Sequence, residues 1–353
     1  MKKFSLIMSI LAAFCLTFVS VSAFSFDSPG AEIAFGNSAA ANPKPDNTNE
    51  TDAGSNAPSW INGLNSSPTA TPDPDATPSP TATPAASPAP TSKSTVIKAG
   101  TKEAETLKVP IMLYHHISND FDTSNAISII SPKDFRLHMT AIKAQFTPVS
   151  LRDYVEFVNC RDGSKTMPQN PIIVTFDDGY LSNYEVAYPI LKELEIPATI
   201  FVVTDTVGAV GGEGKVNYSH FTWEQAKEMV DSGLIDIQSH TNDHVKLGTL
   251  NRDAVNFELR KSKYLIEKNL GITCDMIAYP YGSYNDSVIE ASHKAGYKAQ
   301  CLVGDDATHI DYEVNIPRDG VEHMTRITVS GLMGNVNVIE LVRQALANKT
   351  ITE

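Results

Sequence analysis

Two adjacent carboxylates end an apolar stretch near the middle of the chain. The stretch is PIIVTFDDGY, residues 171–180, and its Ile, Val and Phe residues are typical of a buried strand. Asp-Gly is ordinary turn chemistry, so a strand that stops at a surface turn would explain the glycine. It would not explain Asp177 beside Asp178, because neighbouring like charges repel unless a cation lies between them. The pair therefore predicts a nearby cation.

Two histidines follow a second strand-like segment. His240 and His244 are four residues apart in LIDIQSHTNDH, residues 234–244. Two imidazoles at that spacing on a helical turn can bind one cation, although a solvated turn gives the same pattern by chance. The segment lacks the glutamate that a zinc protease uses as its base. If both segments end at one face, an Asp and two His would form a facial triad, and the other Asp could act as a base.

The elements that must position these residues alternate between strands and helices over residues 108–353. About seven strands are separated by helices of roughly 10 to 15 residues, which implies parallel pairing with right-handed crossovers. We therefore predict an α/β fold, a distorted barrel of about seven parallel strands, with a doubly wound open sheet as the alternative. In both folds functional residues collect where strands end.

Cap and breaker residues predict where helices begin. Ser131 before Pro132 and Thr222 before an amphipathic run are typical N-caps. Pro189 lies inside NYEVAYPILKELEI, and it should kink that helix or cap a short first segment.

The first 23 residues have the order of an export signal. Lys2 and Lys3 precede an apolar stretch and then small residues up to Ala23, after which cleavage is expected. The stretch is also long enough to remain as an N-terminal membrane anchor. The protein is therefore expected to be secreted or associated with the cell surface or cell wall.

Residues 24–107 are rich in Pro, Thr, Ser and Ala, with eight prolines between residues 68 and 90. Such a segment cannot bury enough apolar area to offset its ordering entropy. We predict a disordered spacer that holds the following domain away from a membrane or projects it through a wall.

Charge and cysteine content exclude several classes. The net charge is −13 and no basic cluster with interleaved aromatics is present, which excludes a nucleic-acid partner. Beyond the signal only Cys160, Cys274 and Cys301 remain, too widely spaced for a disulfide framework or a metal knuckle. One bridge between Cys274 and Cys301 stays an alternative to two buried thiols.

The motifs TFDDGY, SHTNDH and AYPYG resemble, in that order, the three motifs of the polysaccharide deacetylases, carbohydrate esterase family 4 with a NodB-homology domain. The resemblance covers nearly all of residues 109–320. It implies a NodB-like barrel and a hydrolase in which Asp177 is the catalytic base. It also implies that Asp178, His240 and His244 bind one divalent metal ion. Zinc suits these ligands, and Fe, Co, Ni or Mn are alternatives.

Two positions depart from the family pattern. Ala278 replaces the arginine that orients the base, and Arg318 in NIPRDG is the predicted substitute, with a plain surface arginine as the alternative. The usual late Leu-x-His is not evident. YHHI in the first strand resembles the branch that deacetylates poly-β-1,6-N-acetylglucosamine, which implies His115 as general acid. His309 and His323 are rival acids.

Further residues near the motifs have two interpretations. The Tyr281 N–H is expected to meet the oxyanion. The rings of Tyr281, Tyr279 and Tyr180 would either form a stacking wall for a sugar or pack in the core. Trp223 would face the groove or the core, and His116 would point away or line the rim.

The predicted function is metal-dependent removal of acetyl groups from N-acetylglucosamine units of an extracellular or cell-wall polysaccharide. O-acetyl esterase activity on xylan-like glycans, glycoside hydrolysis and catalytically silent glycan binding are the alternatives. A glycosidase needs two carboxylates about 5 Å or more apart across a bond, so the adjacent Asp pair with two His favours metal. The expected partner is the polysaccharide, and the protein is expected to be a monomer.

Overall fold

The computed structural model describes residues 96–120, 128–212, 216–303, 314–331 and 337–348 of the 353-residue chain. The predicted export signal and most of the predicted spacer lie outside these ranges. No helix within them is long and apolar enough to cross a membrane.

The strands within these ranges are short, and most are separated by helices. In chain order they are β1 (Val96–Lys98), β2 (Ile111–Tyr114), β3 (His116–Ile117), β4 (Ile129–Ile130), β5 (Thr147–Pro148), β6 (Thr166–Pro168), β7 (Pro171–Asp178), β8 (Ala198–Val202), β9 (Ile235–Ser239), β10 (Met276–Ala278), β11 (Ala299–Cys301) and β12 (Ile327–Thr328).

The α-helices lie between and after these strands. They are α1 (Lys102–Glu105), α2 (Pro132–Gln145), α3 (Leu151–Asn159), α4 (Tyr188–Leu194), α5 (Trp223–Asp231), α6 (Arg252–Leu270), α7 (Asp286–Ala295) and α8 (Val338–Asn348).

The main sheet runs in the order β11-β10-β9-β8-β7-β2-β12, and each neighbouring pair is parallel. Strand β5 pairs with the start of β7, outside this sequence of seven. An isolated parallel bridge between Cys301 and Met324 joins the region before β12 back to β11, so the two ends of the sheet nearly meet. The distorted barrel of seven parallel strands is confirmed.

Successive strand residues enter two hydrophobic clusters, because side chains alternate across a sheet. Met112 and Val174 belong to the larger cluster, which includes residues of the surrounding helices. Ile111, Ile173 and Phe201 belong to the second cluster, which also contains the buried face of α3. Helix α3 therefore packs against one set of strand side chains, on the opposite side from the larger cluster.

The predicted helix starts are confirmed. The Ser131 hydroxyl accepts a hydrogen bond from the Asp134 N–H at 3.0 Å, and Thr222 forms a capping box with Gln225. Pro189 lies in the first turn of α4, and a π-helical turn at Asn183–Ala187 precedes it, as expected for a short first segment.

The folded domain begins earlier than residue 108. Strand β1 pairs antiparallel with β6, and Ile97 and Ala104 are only 4% and 2% exposed. The expected boundary was wrong because few apolar residues occur in this polar region, and their burial depends on a partner strand far along the chain. Cys160, Cys274 and Cys301 are free thiols, so the bridge between the last two is not formed.

Candidate functional site

Strand register brings the predicted site residues to one edge of the sheet. Asp178, the last residue of β7, pairs with Val202 of β8, which in turn pairs with Ser239 of β9. His240 follows Ser239 directly. Because neighbouring parallel strands end at the same edge, the acidic pair and the first histidine meet there.

Asp178, His240 and His244 form a compact group. One ligand atom from each side chain lies within 4.8 Å of the others, and this is the one such group of three found in the described ranges. Asp178 Oδ1 lies 3.6 Å from His240 Nε2 and 3.3 Å from His244 Nε2. Asp178 has a positive φ of 71°, and so does Gly179 at 77°. The strand therefore ends in a tight turn, at a backbone conformation that is uncommon for a residue with a side chain.

The two histidines converge through an irregular loop rather than a helical turn, which corrects the sequence-based geometry. Thr241 and His244 both have positive φ, 68° and 55°. The Thr241 hydroxyl accepts a hydrogen bond from the His244 N–H. Buried Glu258 of α6 accepts hydrogen bonds from the N–H groups of Asn242 and Asp243, at 3.0 and 2.9 Å.

The donor set fits a divalent cation. His240 Nδ1 lies 2.8 Å from the Ala278 carbonyl oxygen, to which it donates, so Nε2 is left as a ligand. Burial lowers the pKa of His240 to about 4, against the opposing charge of Asp177, so the imidazole is neutral. Asp178 Oδ1 is buried and has no hydrogen-bond partner among the described residues. An orphaned carboxylate oxygen between two imidazole nitrogens is what a bound metal would satisfy.

Asp177 has a different partner. Arg326 donates two hydrogen bonds to its carboxylate, at 2.6 and 2.7 Å, and both side chains are almost fully buried. Burial raises the pKa of Asp177, but the charge of Arg326, the nearby His240 and these hydrogen bonds outweigh it. The pKa of Asp177 is therefore held well below its usual range, and the carboxylate is ionised.

The arginine paired with Asp177 is Arg326, and not Arg318 as was expected from the sequence. Arg318 is exposed in a 3₁₀ turn at Pro317–Asp319, whereas Arg326 lies one residue before β12 and also donates to the Leu302 carbonyl. Sequence reasoning missed Arg326 because no motif surrounds it. Its position depends on β12 pairing with β2, beside β7, which is a tertiary contact.

His115 lies at the end of the neighbouring strand β2. Tyr114 of β2 pairs with Phe176 of β7, so the residues that follow them, His115 and Asp177, come to the same edge of the sheet. The His115 Nδ1 is buried without a hydrogen-bond partner in the described part of the chain. The side chain of Asn183 donates to the His115 carbonyl at 2.8 Å and fixes the backbone there.

The remaining histidines named from the sequence lie elsewhere. His309 falls outside the described residues. His323 is exposed, and its ring lies 5.3 Å from that of Tyr284. His116 is half-buried at the rim, where its Nδ1 lies 2.9 Å from the Ser182 hydroxyl.

The aromatic residues divide between site and core. Tyr281 is 49% exposed, has a φ of 59°, and its ring lies 4.7 Å from that of His244. Tyr180 is half-buried, and burial together with Asp178, to which it hydrogen-bonds, raises its pKa. Tyr279 is fully buried and donates to Ser292, so it packs in the core, and Trp223 packs against the main core cluster.

A cavity of about 510 Å³ opens over this group. Asp178, His244 and Tyr281 line it, together with Tyr180 and several residues of the loop between β8 and α5. Two of the three ligand residues thus share an open cavity with several rings, whereas Asp177 and His240 are buried and do not line it.

Residues 164–300 match the family model of polysaccharide deacetylase. A Bacillus subtilis (strain 168) protein assigned to the polysaccharide deacetylases, YxkH, is 32% identical over 200 residues, 57% of this chain and 66% of that protein. The poly-beta-1,6-N-acetyl-D-glucosamine N-deacetylase of Staphylococcus aureus (strain MRSA252) is 34% identical over 173 residues, 45% of this chain and 59% of that protein. The chain thus spans somewhat less than two thirds of these relatives.

The fold also matches that of solved deacetylases. The Streptococcus pyogenes deacetylase PplD, solved in complex with acetate, superposes with a TM-score of 0.56 at 26% identity. The match covers 67% of this chain and 98% of PplD. With the motifs in order, the same barrel and the matching family model, residues 164–300 of this chain carry a polysaccharide deacetylase domain.

Proposed function

We propose that this protein is a metal-dependent deacetylase that hydrolyses N-acetyl groups of N-acetylglucosamine units in an extracellular or cell-wall polysaccharide. The observation that carries the proposal is the division of labour between two adjacent carboxylates. Asp177 is held ionised by Arg326, and Asp178 points an unpartnered oxygen between two imidazoles. A base beside a cation site suits hydrolysis of an unactivated amide.

Asp178, His240 and His244 would hold the metal ion. Zinc fits two imidazoles and a carboxylate, and Fe, Co, Ni or Mn would also fit. When bound, the ion supplies Lewis acidity, which activates water and polarises the carbonyl of the scissile amide. The Ala278 carbonyl and the Glu258 carboxylate hold the two histidines and their loop in place for that task.

Asp177 is the proposed general base. Arg326 uses one donor on each carboxylate oxygen and leaves further lone pairs on the same atoms. The carboxylate can therefore accept the proton of the attacking water while its orientation stays fixed. Its lowered pKa keeps it in the basic form throughout the neutral range.

His115 is the proposed general acid, and Tyr281 the proposed oxyanion donor. An amine anion is a poor leaving group, so the departing nitrogen must receive a proton, which the half-buried His115 imidazole, at the same sheet edge as Asp177, would donate. The Tyr281 backbone N–H would stabilise the developing oxyanion, as expected for a residue beside His244 at the cavity wall.

The substrate class is supported by the relatives and by the YHHI strand. The Staphylococcus aureus relative is named for poly-β-1,6-N-acetylglucosamine, and this chain has a histidine pair in the strand that resembles that branch. Export through the N-terminal signal, with membrane or wall attachment through the spacer, would bring a monomeric enzyme to such a polymer. An O-acetyl esterase on xylan-like glycans is the second candidate.

An acetate-release assay tests the proposal. Purified protein should release acetate from β-1,6-linked N-acetylglucosamine oligomers, chitin oligomers or peptidoglycan, chelation should abolish release, and a divalent ion should restore it. Release from acetylxylan alone would favour the esterase, and reducing sugar without acetate would favour a glycosidase. Full activity in metal-free protein would refute the metal-dependent proposal.

A further inference from the structure

Four ring side chains pack against one another beside the metal-binding group. The His116 ring centroid lies 4.5 Å from that of Tyr218 and 5.0 Å from that of Tyr180. The Tyr180 and His220 centroids are also 5.0 Å apart, with an angle of 31° between the rings. We call His116, Tyr180, Tyr218 and His220 the ring wall.

Backbone hydrogen bonds hold both sides of the ring wall. Tyr180 and His220 form an isolated antiparallel bridge, and the Leu181 N–H donates to the Ser219 carbonyl at 2.8 Å. A Cβ at Gly179 would come within 2.8 Å of Val202 Cγ2, so only glycine permits this close approach. These backbone contacts fix the segments that carry the rings, as a pre-organised binding surface requires.

The ring wall borders the cavity of the proposed catalytic site. Tyr180, Tyr218 and His220 line that cavity together with Asp178 and His244. His220 is only 7% exposed, and its buried Nδ1 has no hydrogen-bond partner among the described residues. A buried polar atom without a partner carries a desolvation cost that a ligand hydroxyl, a ligand amide or a water can remove.

The chemistry of the ring wall suits an uncharged ligand with flat apolar faces. Phenol and imidazole rings offer such faces with polar edges, and burial lowers the pKa of His116 to about 4, helped by neighbouring His220. His116 is therefore neutral under working conditions. A pyranose ring, with C–H faces and hydroxyl edges, matches this surface better than a phosphate or an ammonium group.

We propose that the ring wall is a sugar subsite, which binds the N-acetylglucosamine unit next to the one that is deacetylated. The inference rests on the proposed function and adds to it the residues that select a polymer over a single acetylated sugar. It assigns to Tyr218, whose segment no motif contains, a role in substrate binding.

Kinetics on two substrates test the subsite. For each variant, kcat/KM is measured on an N-acetylglucosamine pentamer, β-1,6- or β-1,4-linked, whichever the wild type deacetylates, and on 4-nitrophenyl acetate, which has no neighbouring sugar. Tyr218→Ala should lower the ratio of kcat/KM on the pentamer to kcat/KM on 4-nitrophenyl acetate about tenfold, mainly by raising KM for the pentamer. The loss of one ring contact with a sugar is expected to weaken binding by about a factor of ten. Tyr218→Phe, which keeps the ring, should restore most of the ratio.

Tyr264→Ala is the matched control. Tyr264 is 55% exposed on α6 and does not line the cavity. The ratio of the two kcat/KM values for Tyr264→Ala should therefore equal that of the wild type. An unchanged ratio in Tyr218→Ala, or an equal fall in Tyr218→Phe, would overturn the subsite.

Binding of the pentamer to the Asp177→Asn variant, measured by calorimetry, separates the subsite proposal from the deacetylase proposal. Tight binding that Tyr218→Ala weakens would support the subsite even if the wild type released no acetate, and that absence of release would refute only the deacetylase.

Discussion

Asp177 and Asp178 are adjacent in the chain and have different partners for two local reasons. Successive strand side chains point to opposite faces, so Asp177 lies on the same side as Ile173 and Thr175. Asp178 would face the surrounding helices, but its positive φ ends the strand and turns its carboxylate toward His240 and His244. One carboxylate thus meets a guanidinium and the other meets imidazoles.

Exchanging each carboxylate for an amide should separate base from ligand. Asp177→Asn should retain metal, measured by mass spectrometry of the purified protein, and lose roughly 10²- to 10⁴-fold in kcat, because an amide cannot act as a general base. Asp178→Asn should lose metal affinity, since a charged ligand is gone. The reverse pattern would exchange the two roles.

Arg326 should matter far more than Arg318. Arg326→Gln leaves Asp177 buried without a cation, so the free energy of unfolding should fall by roughly 3–5 kcal/mol and kcat should fall with it. Arg318→Gln, at an exposed position, should change the free energy of unfolding by no more than about 0.5 kcal/mol. Urea denaturation of both variants checks this, and similar losses in the two would contradict the assignment of Arg326.

His115→Ala should lower turnover on an amide substrate while metal content stays intact. An activated acetyl ester, whose leaving group barely needs a proton, should be affected much less. His323→Ala is the comparison, since its ring lies against Tyr284 and is exposed. If His323→Ala lowered amide turnover and His115→Ala did not, the general acid would lie late in the chain.

At the scale of elements, the site depends on where strands stop and on what holds the loop that follows. The loop from His240 to His244 contains two left-handed residues, which are unfavourable without external support. Glu258, a buried carboxylate on α6, supplies that support by accepting two of the loop N–H groups. A long helix on the outside of the barrel therefore holds the loop that carries His244, a proposed metal ligand, at the edge of the sheet.

Glu258→Ala should weaken metal binding without removing a ligand. Loss of the two hydrogen bonds frees the loop, and the dissociation constant for zinc should rise by about 10- to 100-fold, as for other groups that orient ligands. Glu258→Gln keeps a carbonyl acceptor and should retain most of the affinity. Zinc titration against a chromogenic chelator measures both, and equal effects of Ala and Gln would point to charge rather than hydrogen bonding.

At the scale of the whole molecule, the barrel depends on segments far apart in the chain. Strand β12 pairs with β2, and the Lys108 ammonium donates to the Leu346 carbonyl at 2.6 Å. Strand β1 adds a further contact with β6, outside the barrel. The domain is therefore held together by contacts between its two ends as well as by neighbouring elements.

Two truncations should differ sharply in stability. Removal of residues 24–95 should leave the melting temperature and the activity on soluble oligomers unchanged, because the composition of that segment provides no core. Removal through residue 105 also deletes Ile97, Ala99 and Ala104, all buried, and should lower the free energy of unfolding by about 2–3 kcal/mol. Equal stability of the two proteins would show that β1 and α1 contribute nothing to the fold.

The sequence alone was enough to predict the barrel class, the helix caps and the residues of the ligand group. These features are encoded by short-range signals: runs of β-branched residues, cap residues at fixed positions, and polar residues directly after strands. The carboxyl ends of neighbouring parallel strands meet at one edge of the sheet in any fold of this class. The proximity of Asp178 and His240 could therefore be predicted from the sequence.

Other features depended on the tertiary structure. Arg326 meets Asp177 only because β12 lies beside β2 in the barrel, and nothing in its local sequence distinguishes it from Arg318. The position of His244, the start of the domain at β1 and the contact of the Tyr218 ring with His116 likewise depend on contacts between distant segments. Local sequence patterns determine local conformation. The partner of a buried charge or ring depends instead on which distant segments become neighbours when the whole sheet is assembled.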